Sequence, residues 1–259
     1  MQHKKRLPQE ETEPVVSEAA VQEVEQVVAR QLSREEQKAE REKQADKDQI
    51  AAWVPKTALG KAVRSGEIKN IDEILNKNLK ILEDEIVGSL LILKSDLVSI
   101  GQSKGKFGGG KRRAWKQTQR KTQEGNVATF SALAVVGDGN GHVGIGRGRA
   151  KETLPARTKA LRKAKLNVIK VTRGCGSFHC ADKEPHSIPF KVEGKCSSVR
   201  VVLIPAPQGT GLVIGKEAQK ILKLAGIKDI YSKTFGKTKT SLNLAKAVID
   251  ALQKTGGRQ

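Results

Sequence analysis

The placement of positive charge constrains this chain more than any single motif. Residues 1–50 hold nine Lys or Arg against twelve Asp or Glu, a net of −3, whereas residues 51–259 hold 39 against 16, a net of +23. A folded body with that excess repels itself until a polyanion neutralises it. Nucleic acid is the polyanion this distribution fits. A basic protein lying on a membrane would need an amphipathic basic helix with bulky apolar anchors, or a lipidation signal, and neither is present. Aromatic residues are 3% of the chain, and its apolar runs, such as LLIL at 90–93 and VVLI at 201–204, are far too short to span a bilayer. The start, MQHKKRLPQE, lacks the apolar core of a secretory signal. Three cysteines, an odd number, argue against a disulfide framework. The expected location is the cytoplasm.

The composition then divides the chain. Residues 1–50 are acidic, rich in Glu, Gln and Ala, and are expected to form a flexible or partner-dependent tail. Val21, Val24, Val28 and Leu32 keep a helical spacing, so a solvated helix is the other reading. Residues 51–93 read as a helical extension. Trp53, Leu59, Val63, Ile68, Ile71, Ile74 and Leu75 are its anchors, with short helices around 57–64 and 71–76 and another within 82–93.

Residues 94–172 read as a strand-strand-strand-helix domain. Its first part, 101–125, holds eight positive charges and one negative, and five glycines before Trp115 deny it a core. Gln123 to Asn126 read as a hairpin turn, and VATFSALAVVGD at 127–138 as a buried strand. Asp138-Gly139-Asn140-Gly141 is a tight turn into a return strand from His142. Thr153 is expected to cap a helix that carries Pro155 in its first turn. Ala150, Leu154, Leu161, Ala164 and Val168 are expected to line its inner face, with Arg157, Lys159, Arg162, Lys163 and Lys165 outside.

Residues 173–259 read as a β-α-β-α domain with a cysteine-containing loop at its start. Val199, Val201 and Leu203 share one strand face, and Ala218, Ile221, Leu222 and Ala225 one helix face ending at Gly226. Ile227–Lys233 follow as a strand, and Ser241 is expected to cap the last helix. The fold class is therefore α+β.

Three stretches carry possible chemistry. GDGNGHVGIGRG at 137–148 suggests a nucleotide fingerprint, but the third glycine position is Arg149, and the acidic residue required further on is missing. The remaining reading is turn glycines plus close backbone approach to a polyanion, beside Arg147, Arg149 and Lys151. In the basic hairpin, Lys104, Lys106, Lys111, Arg112, Arg113, Lys116, Arg120 and Lys121 are candidate RNA contacts, the glycines letting them follow an irregular phosphate surface. Trp115 stacks on a base or anchors the hairpin, and anchoring is the expectation. Cys175, Cys180, Asp182 and His186 have metal-ligand chemistry at short spacing, with His179 nearby and Cys196 an outside candidate. A structural zinc site and a loop with two buried thiols both fit. A Cys–His nucleophile pair with His186 can be drawn from the same residues. No nucleophile elbow or other catalytic set is present.

ATFSALAVVGDGNGHVGIGRGRAKETLPA, RGCGSFHCADKEPHSIPFKVEGKCSSVRVVLIPAPQGTGLVIG and LKLAGIKDIYSKTFGKTKT together resemble the universal small-subunit ribosomal protein family five, over about residues 51–259. WVPKTALG at 53–60 and RGCGSFHC resemble its archaeal branch. The resemblance implies a double-stranded-RNA-binding-like first domain, a β-α-β-α sandwich and no enzyme activity. It implies contact with ribosomal RNA near the central pseudoknot and neck, and with the fourth and eighth small-subunit proteins. It also implies a place near the messenger entry channel and a part in decoding accuracy. The hairpin at about 111–127 is then expected to point toward the RNA neck. In archaeal relatives the loop often reads Cys-x4-Cys-x-Cys-x3-His, and Asp182 here stands where the third cysteine would. A free double-stranded-RNA-binding regulator is the alternative function.

Overall fold

The computed structural model describes Ile50, residues 52–103, 112–176, Cys180 and residues 184–256. The expected tail over residues 1–49, and Lys104, Lys106, Lys111, His179 and Asp182, lie outside the described residues.

The extension after Trp53 contains three short helices: α1 (Ala58–Ser65), α2 (Ile71–Asn76) and α3 (Asp84–Leu90). Thr57 starts α1 by accepting from the Gly60 N–H at 3.0 Å, and Gly66 ends it at φ 83°. Glu83 ties the segment together. Its carboxylate accepts from Trp53 Nε1 at 2.7 Å, Lys56 N at 3.0 Å and Thr57 N at 2.7 Å.

A five-stranded sheet follows. It comprises β1 (Lys94–Leu97), β2 (Trp115–Thr122), β3 (Gly125–Gly137), β4 (His142–Ala150) and β5 (Val168–Lys170). All pairings are antiparallel, and β1 and β2 pair with successive halves of the long β3. Helix α4 (Thr153–Leu166) runs between β4 and β5.

The second sheet has the order β6 (Val192–Cys196), β7 (Val199–Pro205), β9 (Ile230–Phe235), β8 (Leu212–Val213). Helix α5 (Lys216–Ala225) connects the parallel pair β8 and β9, and α6 (Ser241–Gln253) closes the chain's described part. Both expected element orders are present, with the short strands β1, β5, β6 and β8 added. The architecture is α+β.

Two apolar clusters lie on opposite faces of the first sheet. One joins Ala132, Ala134 and Val136 of β3 to α4 and to Ile71, Ile74, Ile86 and Val87 of the extension. The other joins Leu133, Val135 and Val143 to α5, α6 and the inner face of the second sheet, through Leu222, Val201 and Val248. Period-two alternation along β3 makes both possible: odd positions face one cluster, even positions the other.

Three local expectations differ. Helices α4 and α6 begin at Thr153 and Ser241 themselves, after Glu152 and Thr240, with no side-chain cap bond at either. The Ser241 hydroxyl reaches Ser99 O at 3.5 Å instead. The inner face of α4 is Ala156, Ala160 and Ala164, all fully buried, while Leu154 is 69% exposed. The reason is in β4. Gly144, Gly146 and Gly148 let the α4 backbone come so close that only alanine fits opposite them.

Candidate nucleic-acid interface

Strand register places four of the basic residues on one face. Paired residues on neighbouring strands share a side of a sheet. Lys116 pairs with Ser131 and Ser131 with Arg149, so Lys116 and Arg149 lie in one row. Leu133 pairs with Arg147, and Arg120 with Val127, which puts Arg147 and Arg120 on that same side. The alternation Gly-Arg-Gly-Arg in β4 now has a physical meaning. Glycines point at α4, and arginines point away from it. The glycines thus serve helix packing and not approach to a polyanion, which corrects the reading made from the sequence. A Cβ at Gly146 would collide with Ala160 O, and one at Gly148 with Ala156 O.

At the β1 end of β3 this face is covered, because Leu133 and Val135 join the apolar cluster with α5. Toward the hairpin tip at Gln123–Glu124 it opens. Lys116, Arg120, Arg147 and Arg149 are exposed there; Arg112, Arg113 and Lys151 are exposed as well, and Lys121, paired with Asn126, is exposed on the opposite side of the sheet. Thr118 and Thr129 lie among the first four with their hydroxyls 2.9 Å apart, and Arg149 Nη2 donates to Thr129 Oγ1 at 3.1 Å. That bond holds one guanidinium over the strand pair. The two threonines were not singled out in the sequence; only the register shows that they sit between cations.

Other basic groups are spoken for. Arg112 Nη1 donates to Lys239 O at 3.3 Å. Arg162 of α4 donates through Nε to Asp84 at 2.8 Å, a bond that raises the pKa of its guanidinium. Trp115, expected to anchor the hairpin, begins β2 opposite the buried Ala132 but is itself 39% exposed.

A second cluster surrounds the cysteine-bearing loop. One ligand atom from each of Cys175, Cys180 and His186 lies within 4.8 Å of the other two. Cys180 Sγ is 3.3 Å from His186 Nε2 and also accepts from Gln208 N at 3.3 Å. The other ring nitrogen, Nδ1, is 2.8 Å from Asp229 Oδ2, and both residues are buried. Asp229 was not foreseen, being 43 positions from its partner in sequence. Cys196 is on β6, paired with Val199 and packed against the apolar cluster.

Comparison with known proteins gives one answer. Residues 114–172 match the family described as ribosomal protein S5, N-terminal domain, and residues 194–259 match its C-terminal domain. A protein of Nanoarchaeum equitans, "Small ribosomal subunit protein uS5", is 51% identical over 206 residues, covering 79% of this chain and 88% of its own length. Its namesake in Staphylothermus marinus is 48% identical over 211 residues, 81% of this chain and 92% of that protein. The one in Thermofilum pendens is 47% identical over 204 residues, 78% and 94% respectively.

Proposed function

The chain belongs to the uS5 family of small-subunit ribosomal proteins, archaeal type, and from that premise we propose that it docks on folded ribosomal RNA through the basic face of its first sheet. It is a structural constituent of the small ribosomal subunit. Its contact with RNA is electrostatic and shape-directed, since duplex RNA shows side chains little base sequence to read. The observation that carries this is the exposed set Lys116, Arg120, Arg147 and Arg149 on one side of the sheet; Arg113 and Lys151 are exposed as well, and Lys121 is exposed on the opposite side. Lys104, Lys106 and Lys111 belong to the same basic run, outside the described residues.

The family resemblance extends the reading. The site on the subunit is near the central pseudoknot and neck, in contact with the fourth and eighth small-subunit proteins. There the protein supports assembly, messenger entry and decoding accuracy. It works in the cytoplasm and has no catalytic centre of its own. Sucrose-gradient fractionation at moderate salt tests this reading. The wild-type chain is expected to co-sediment with small subunits, and the variant carrying Arg112→Glu, Arg113→Glu and Arg120→Glu to incorporate poorly. A wild-type chain at the top of the gradient, bound to free duplex RNA, would establish the regulator instead. Unchanged incorporation of the triple variant would remove the hairpin from the interface.

The loop reads as a structural zinc site built on Cys175, Cys180 and His186. Zinc takes tetrahedral nitrogen and sulfur donors at about 2.0–2.3 Å. Two sulfurs and an imidazole nitrogen within 4.8 Å of one another suit that geometry, and a third sulfur-or-nitrogen donor is what a lone thiol–imidazole pair would lack. Asp182 remains the fourth candidate from the sequence. Bound zinc would cross-link the loop to the body and would supply no reaction. Metal analysis of the purified chain, with and without Cys175→Ser, tests it: about one zinc per wild-type chain, and a marked loss in the variant.

A further inference from the structure

We infer that Asp229 is a positioning residue for the metal loop, fixing the His186 ring so that Nε2 presents its lone pair to the site shared with Cys175 and Cys180. The inference rests on the zinc reading above and adds a residue that the ligand set does not contain.

The geometry is closed on the Asp229 side. Its Oδ2 stands 2.8 Å from His186 Nδ1, and its Oδ1 accepts from Gly211 N at 2.7 Å. Carboxylate oxygens of this kind only accept, so the bond to Nδ1 requires the proton to be on Nδ1. In a neutral imidazole the other nitrogen is then the acceptor, and that nitrogen is the one 3.3 Å from Cys180 Sγ. The ring cannot turn over without breaking the Asp229 bond in a pocket where His186 is 2% exposed.

The backbone adds a second clamp. His186 O accepts from Lys228 N at 2.8 Å and from Asp229 N at 3.2 Å. Gln208 N donates to Cys180 Sγ from the chain segment before β8. His186, Gly211 and the entry to β9 therefore meet at one carboxylate. A histidine whose far nitrogen is held by a carboxylate is a better and better-aimed metal ligand than a free one. The site's histidine is thus prepared by the second sheet before any ion arrives, and the cysteines complete it.

The same atoms also have the order thiol, imidazole, carboxylate used for nucleophilic cysteines. Cys175 distinguishes the two, since a nucleophile needs no second sulfur within 4.8 Å.

The test uses the full-length protein, stripped of metal, with zinc alone as the probe in competition with a chromophoric chelator. Asp229→Asn keeps size and can still accept from Gly211, but its amide can turn a donor toward Nδ1. The expected result is a loss of about 10–100-fold in zinc affinity. Nitrogen chemical shifts of the His186 ring in the metal-free chain give a readout that a purely structural role would not move. Wild type is expected in the Nδ1–H form, and Asp229→Asn moved toward Nε2–H. A wild-type chain that takes up no zinc overturns the metal reading itself. Wild type binding zinc with Asp229→Asn equal to it overturns the inference alone. If Asp229→Asn fails to fold, the wild-type ring decides, and a proton on Nε2 alone overturns the inference. Alkylation of Cys180 by iodoacetamide in the wild-type chain, undiminished by saturating zinc, would overturn the metal reading on which the inference rests.

Discussion

Asp72 of the helical extension stands 3.1 Å from Nε2 of His142, at the start of β4, and the other ring nitrogen is 2.6 Å from Asp138. Both ring nitrogens thus face carboxylates, an arrangement that favours the doubly protonated, cationic ring. The bond to Asp138 raises the His142 pKa, burial works against it, and Asp72 adds to the rise. Burial alone would raise both carboxyls, but bonds from His142, and for Asp72 also from Lys170, hold Asp72 and Asp138 below the usual carboxylate range.

The sign of the pH dependence follows. A histidine with a raised pKa stabilises the fold fully below its unfolded value of 6.5 and loses that contribution as pH rises through the raised value. The two carboxyls contribute above their ordinary 3.8 and lose it only as pH falls through their depressed values. Docking of the extension is therefore expected to be strongest between those limits. Denaturant midpoints across this range should fall above pH 6.5 in wild type and stay nearly flat in His142→Gln. The variant should be about 1–2 kcal/mol less stable at the acid end. Parallel pH profiles for the two proteins would show that the ring is not a cation in the fold.

The glycine stripe of β4 gives a packing prediction. Gly146→Ala places a Cβ against Ala160 O and Ala164 N, backbone atoms with no rotamer to move. The helix must lift from the sheet, at about 1–3 kcal/mol. Gly139→Ala is the useful contrast. A Cβ there meets nothing within 4 Å, but the residue is at φ 76°, so its cost is backbone strain of about 1–2 kcal/mol without disturbing α4. Near-ultraviolet dichroism and thermal midpoints of the two variants would separate lost packing from local strain.

Legibility in the sequence followed the range of the interactions. The helices α1, α2 and α5, the β2–β3 turn and the Asp138–Gly141 turn are set by residues within a few positions of one another. They could be read directly. The Gly-Arg alternation was visible too, yet its meaning needed α4, because only the opposing Ala156, Ala160 and Ala164 tell which face of β4 is inside. Short strands such as β5 and β8, with three and two residues, carry too little periodicity to be seen. Ser197 turns β6 into β7 at φ 56°, without the glycine or asparagine that marks such a turn. Asp72 with His142, and Asp229 with His186, are long-range pairs, and a single sequence does not place partners 70 and 43 positions apart.

The cluster that joins the two sheets predicts how the body unfolds. Leu222 is fully buried among residues of both sheets, and Gly139 N also donates to Leu224 O at 2.9 Å. A shared core couples the halves, so thermal unfolding of residues from Trp53 onward is expected as one transition. Leu222→Ala should lower stability by about 2–5 kcal/mol and shift that single transition as a whole. Two resolved calorimetric transitions, with the variant moving one of them, would mean that the sheets fold independently.

The basic face makes a quantitative prediction about salt. Each phosphate neutralised by a Lys or Arg releases counterion, so log K falls by about 0.7–0.9 per contact for each log unit of salt. Lys116, Arg120 and Arg149 share one side of the first sheet and are exposed, whereas Arg162 lies on α4, on the other side, bonded to Asp84. Neutralising the first three to Gln should make the salt slope for ribosomal RNA shallower by about 2, with thermal stability little changed because none is buried. Arg162→Gln should leave the slope nearly as in wild type while loosening α3 from α4. Filter binding over a range of potassium concentrations measures both. Equal loss of slope in the two variants would mean that the RNA is gripped by net charge spread over the whole body. The argument for a single docking face would then fail, since the register that aligns those side chains would have no bearing on affinity.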